Sequence, residues 1–120
     1  MEQTVKTKGE PSSVVKKAIS GLGSLGKAIV AIRGDGFSCN LIGPVGLGRD
    51  GGDQVITVGD CKCHIHIDWG KADKFIVDEE DVGYGPEPVA RLVDSEGKPI
   101  VHFFYPWLSK EKLIAVCCLS

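Results

Sequence analysis

The chain has 120 residues, 42% of them apolar, which suffices for one packed core and matches the usual single-domain length of roughly 100 to 150 residues. Its 14 basic and 16 acidic side chains leave a net charge of -2 with no long block of one sign, so counterion release has no basic surface to work through and nucleic acid is excluded as an expected partner. No stretch nears the roughly 18 apolar residues of a membrane span, and the opening MEQTVKTKGEPSS lacks the apolar middle of a signal peptide, so no membrane partner is expected and the cytoplasm is the expected location.

Residues 1–10 are polar and without periodicity and read as a flexible tail, leaving 11–120 as a single domain. From Pro11, the segment PSSVVKKAIS spaces Val14, Val15, Ala18 and Ile19 as on one helix face, with Gly21 where the helix stops. Short apolar or alternating runs follow, separated by Gly, Asp and Pro, which is the pattern of strands with tight connections. Strands are expected near Lys27–Arg33, Phe37–Ile42, Gln54–Val58, Lys62–Trp69, Lys74–Asp78, Val89–Val93 and Ile100–Tyr105. The intervals are too short for crossover helices, so the pairing is antiparallel. The predicted class is α+β: a large, mostly antiparallel β-sheet with a short N-terminal helix and a C-terminal helix opened by Ser109 as N-cap.

Between the second and third strands, Gly46-Leu47-Gly48-Arg49-Asp50-Gly51 has the glycine spacing of a dinucleotide fingerprint. It lacks the strand-to-helix setting that gives the fingerprint its meaning, so a flexible connection is expected. Arg49 in such a loop is placed to pair with an anionic group.

Cys61-Lys62-Cys63-His64-Ile65-His66-Ile67-Asp68-Trp69 is the segment richest in chemistry. Two thiols and two imidazoles suggest a zinc tetrad, but alternation on a strand puts Cys61 and Cys63 on one face and Lys62, His64 and His66 on the other. What remains is a pair of histidines beside an apolar face. Neutral imidazole ligates iron well, and a haem protein needs one such nitrogen over an apolar floor. Any half-buried strand, however, also shows polar residues on its solvent side.

The acidic run Asp78-Glu79-Glu80-Asp81 lacks the alternating ligand pattern of a calcium loop and reads as a solvated turn. Asp94-Ser95-Glu96-Gly97 is a hairpin signal. Beyond it His102 lies among aromatics in Pro99-Ile100-Val101-His102-Phe103-Phe104-Tyr105-Pro106-Trp107, either as a core residue or as the lining of an apolar pocket. The five cysteines are odd in number and include an adjacent pair, Cys117-Cys118, which suits reduced thiols better than disulfides.

Taken together, the histidine-bearing strand 63–69, the strand Phe75-Ile76-Val77 and the run Ala90–Phe104 through its acidic-Gly hairpin resemble the haem-utilisation proteins of the ChuX, HutX and HemS type. The looser likeness extends from about Gly26 to about Glu111, with Ala28–Arg33 similar to the family's early strand. The resemblance implies a HemS/ChuX-like sheet, haem held in a cleft by a histidine, and, for a single unit, a homodimer. His64 and His66 match the family's strand histidines, and His102 is a further candidate metal ligand. Under that reading Arg33, Arg49 and Lys62 are the candidates for the propionates, and Phe104 is among the aromatics that cover the ring. The expected function is haem storage, delivery or utilisation, with haem degradation a related enzymatic possibility. The alternative is a small metal-binding or structural dimerisation module without haem.

Overall fold

The computed structural model describes residues 9–60 and 63–117. Most of the expected tail, and Cys61, Lys62 and Cys118, therefore lie outside the described residues. The elements are α1 (Ser13–Gly23), β1 (Lys27–Gly34), β2 (Phe37–Asp50), β3 (Asp53–Val58), β4 (Cys63–His66), β5 (Lys74–Asp81), β6 (Pro86–Val93), β7 (Pro99–Phe104) and α2 (Lys110–Cys117). All strand pairs are antiparallel, and they form one seven-stranded sheet in the order β4-β3-β2-β1-β7-β6-β5. Both helices pack on the same face, giving the α+β arrangement that the sequence predicts.

Helix α1 begins where Ser12 turns its hydroxyl back to accept from the Val15 N–H at 3.2 Å. It buries Val15, Ala18, Ile19 and Leu22, a stripe at helical spacing. Ser109 caps α2 in the same way, accepting from Lys112 N–H at 3.1 Å. The sheet meets the helices with Ala28 and Val30 of β1, Ile56 and Val58 of β3, Ala90 and Leu92 of β6, and Val101 and Phe103 of β7. Tyr105, fully buried, donates its hydroxyl to the Leu22 carbonyl at 3.1 Å, tying the end of β7 to the end of α1. Burial raises its phenol well above the ordinary value. Leu22 O also accepts from Leu25 N–H, so it keeps a partner if the hydroxyl is lost. Tyr105→Phe is therefore expected to cost about 1 kcal/mol, read as a lower urea midpoint at unchanged slope.

Three expectations are corrected. The stretch Gly46–Asp50 is strand rather than flexible connection: β2 pairs with β1 over Phe37–Pro44 and then changes partner to pair with β3 over Val45–Asp50. A Cβ at Gly43 would come within 2.5 Å of Gly59 Cα, so the changeover needs bare backbone on that side. The acidic run 78–81 is likewise the second half of β5, not a turn, because Asp78 and Glu80 alternate onto one face and meet arginines there. Finally, β4 is four residues long, shorter than the expected strand. Trp69, past its end, stays in the core and donates from Nε1 to the Gln54 carbonyl at 2.8 Å.

The Asp94–Gly97 hairpin forms as expected, with Gly97 at φ +82° and Asp94 Oδ1 accepting from the N–H groups of Glu96 and Lys98. No helix among the described residues is long and apolar enough to cross a membrane.

Candidate functional site

Register and alternation place the predicted residues. Along β2, Val45 and Leu47 face the helices, so Gly46, Gly48 and Asp50 face away from them. Gly46 lies opposite Thr57 and Thr57 opposite His64, while Gly48 lies opposite Val55 and Val55 opposite His66. The two histidines therefore share the face away from the helices with Val55 and Thr57 of β3, which stand between them and the glycines of β2. Their own side chains are 34% and 44% exposed.

Two aspartates join them. The turn Asp50-Gly51-Gly52-Asp53, with Gly51 at φ +66°, puts both carboxylates at the tip of the β2–β3 hairpin. Asp50 Oδ2 is 2.9 Å from His66 Nε2 and 3.6 Å from His64 Nδ1, and Asp53 Oδ2 is 3.7 Å from His66 Nδ1. Both nitrogens of His66 thus face carboxylates. His64 faces one through Nδ1 only, and its Nε2 has no partner among the described residues. No group of three or more His, Cys, Asp or Glu side chains among the described residues is arranged to hold a metal ion.

His102 stands elsewhere on the same face. It lies opposite Ala31 of β1 and Arg91 of β6, and three strands separate β7 from β4. Followed through the register, His64 leads to Gly46 and His102 to Asn40. Along the sheet that is about 20 Å of β2 in one direction and about 19 Å of strand spacing in the other. One iron cannot take both side chains of a single chain.

The surroundings of His102 are buried and charged. It is 7% exposed, stacked on Phe104 at 6.4 Å and 16°, with Ala31 and Val89 buried and Ile29 packed beside them. Arg91 donates from Nε to His102 Nδ1 at 3.1 Å and from its terminal nitrogens to Asp78 and Glu80. Arg33 lies over the Phe104 ring at 5.7 Å and takes Glu80 with both terminal nitrogens, at 2.8 and 3.3 Å. Burial, then the Arg33 and Arg91 charges, hold the His102 imidazole below its ordinary value, with Glu80 opposing.

Glu80 is held below the ordinary carboxylate value by the Arg33 hydrogen bond first, with burial opposing and Arg91 adding to the effect. Its contribution to stability is therefore complete above the unfolded value and disappears as pH falls through the lower, folded one. Glu80→Gln is expected to be less stable than the parent at neutral pH. The gap between their denaturation midpoints should close as the pH is taken below 4.5 and on through the folded value.

Arg49 does not join either group. It pairs with Glu10 at 2.7 Å, next to Lys16 of α1. Lys62 lies outside the described residues. A surface hollow of about 350 Å³ lies between the turn Gly70–Asp73 and the hairpin Asp94–Glu96, away from all the predicted residues.

Sequence reasoning missed Asp50, Asp53, Glu80 and Arg91. The Asp-Gly-Gly-Asp turn was a visible hairpin signal that would have put two carboxylates next to a histidine strand. Arg91, a lone charge in an apolar strand, was the signal for the second group.

No family model and no curated protein matches the chain. Among solved structures, it is similar to one described as the crystal structure of ChuX, with a TM-score of 0.65 and 10% sequence identity over 89% of this chain and 69% of that one. That likeness shows the fold.

Proposed function

We propose that this protein binds haem in its cytoplasmic storage, delivery or utilisation, as a homodimer, and that His64 offers the iron ligand through Nε2. The observation that carries the reading is the asymmetry of the two strand histidines. His66 has a carboxylate at each nitrogen, whereas His64 turns Nδ1 toward Asp50 and its Nε2 has no partner among the described residues. A metal-binding imidazole commonly has a carboxylate behind its second nitrogen, which sets the tautomer and raises the basicity of the first.

Thr57, opposite His64, reaches over Gly46 and Gly48, where an added Cβ would come within 3.2 Å of Thr57 Oγ1 and 2.8 Å of Thr57 Cγ2. When bound, haem would supply an iron that a neutral imidazole such as His64 ligates. His66 acts as the positioning residue that holds Asp50 in place. The ChuX-like fold supports the reading by analogy of architecture, which by itself does not carry a function.

Titrating the full chain with hemin tests it. A saturable Soret shift at one equivalent per chain is expected, and a flat titration removes the reading.

A further inference from the structure

We infer that the outer edge of β2 over Phe37–Ile42 is the surface on which a second copy of this chain docks, strand against strand, in an antiparallel pair about a two-fold axis at Cys39. This edge gives the homodimer of the proposed function its contact, and it rests on that part of the reading and not on haem.

The open edge follows from the change of partner along β2. Residues Phe37–Pro44 pair with β1 on one side, and only Val45–Asp50 pair with β3 on the other. β3 ends at Val58, opposite Val45, after which the Gly59 N–H donates to the Pro44 carbonyl at 2.9 Å. Before that point, Phe37–Ile42 has no strand on its outer side among the described residues. Every second residue there turns its backbone N–H and C=O outward with no ladder to join.

The side chains do not protect this edge. Phe37 is 61% and Ile42 65% exposed, Ser38, Cys39 and Asn40 are exposed, and the Phe37 ring leans over Gly34 of β1, away from the outer side. None of the six residues is charged or proline, the usual guards of a free strand. The two end strands of the sheet do have protection: β5 carries Lys74, Asp78, Glu79, Glu80 and Asp81, and β4 is four residues long.

The strand's own chemistry identifies the occupant. An edge that captures a foreign peptide selects it through pockets for alternate side chains. Here Ser38 and Asn40 on one face and Cys39 on the other are all exposed, which leaves a bare ribbon in place of a groove. Laid antiparallel on itself about Cys39, the same ribbon sets Phe37 opposite the partner's Leu41, Ser38 opposite the partner's Asn40 and Cys39 opposite the partner's Cys39. Apolar then meets apolar, polar meets polar, and no like charges oppose each other. Leu41 already packs at the margin of the main core, so the partner's Phe37 extends that core across the contact.

Analytical ultracentrifugation of the full chain over a range of concentrations, with charges placed at position 39, tests the contact. The parent is expected to sediment as a dimer. Cys39→Lys and Cys39→Asp each bring like charges face to face, and each should raise the dimer dissociation constant by about tenfold. An equimolar mixture of the two should recover the parent's dimer, because lysine then faces aspartate. Circular dichroism should show every variant folded, since Cys39 is exposed. A short bismaleimide should couple two copies of the parent, and the product should be absent in Cys39→Ser.

A monomeric parent, charged variants that dimerise as tightly as the parent, a mixture no tighter than either variant alone, or a bismaleimide product that persists in Cys39→Ser overturns the proposal. Failure of the haem reading is distinct from these: it shows as an absent Soret shift with hemin in a chain that still dimerises through this edge.

Discussion

Phe103→Ala should destabilise the protein by about 3 to 5 kcal/mol, the range for removing a buried aromatic ring from a close-packed core. Phe103 is fully buried near the C-terminal end of β7, with its ring centroid 5.7 Å from that of Phe75 on β5. Its strand is bonded on both sides, to β1 and to β6, so the backbone has little freedom to collapse into the space left behind. Urea denaturation checks it. The neighbouring Phe104, also buried, points to the other face and belongs to a smaller cluster of Ala31, Val89 and Ile29. Phe104→Ala is accordingly expected to cost less, and a larger loss at 104 than at 103 would mean that the main core is not on the helix side.

His64→Ala should abolish the saturable hemin Soret shift, because it removes the imidazole whose Nε2 has no partner among the described residues. His66→Ala should reduce affinity without abolishing the shift. Asp50→Asn keeps the shape of the side chain but removes the charge behind His64 Nδ1, and it should weaken binding by about tenfold. The contrast among the three is the check. A shift that survives His64→Ala and disappears with His66→Ala would move the ligand to the neighbouring histidine and discard the role given to the carboxylates. Near-ultraviolet circular dichroism of each variant separates loss of a ligand from loss of fold, which is not expected because both histidine side chains are substantially exposed.

The two histidine sites differ for a reason rooted in sheet geometry. At the β4 edge, exposed imidazoles sit with two aspartates on a hairpin tip. At the middle of the sheet, His102 is buried against an aromatic ring and two arginines, a setting that holds the imidazole below its ordinary value, by burial first.

The sequence by itself determined the antiparallel α+β class, the helix stripe of Val15, Ala18 and Ile19, though not Val14, which is exposed, the Asp94–Gly97 hairpin, and the side of the strand on which His64 and His66 stand. Each of these depends on local chemistry or on the period-two alternation of a strand, which is written in neighbouring residues. Only the tertiary structure decided that Gly46–Asp50 and Asp78–Asp81 are strand, since their partners Thr57, Arg33 and Arg91 come from other parts of the chain. It alone also decided that His102 is remote from His64, that Arg49 belongs to Glu10, and that Asp50 stands behind one imidazole and Arg91 behind another. Strand order and register are long-range quantities: they arise from which apolar faces bury together under the helices, and no spacing within one segment encodes them.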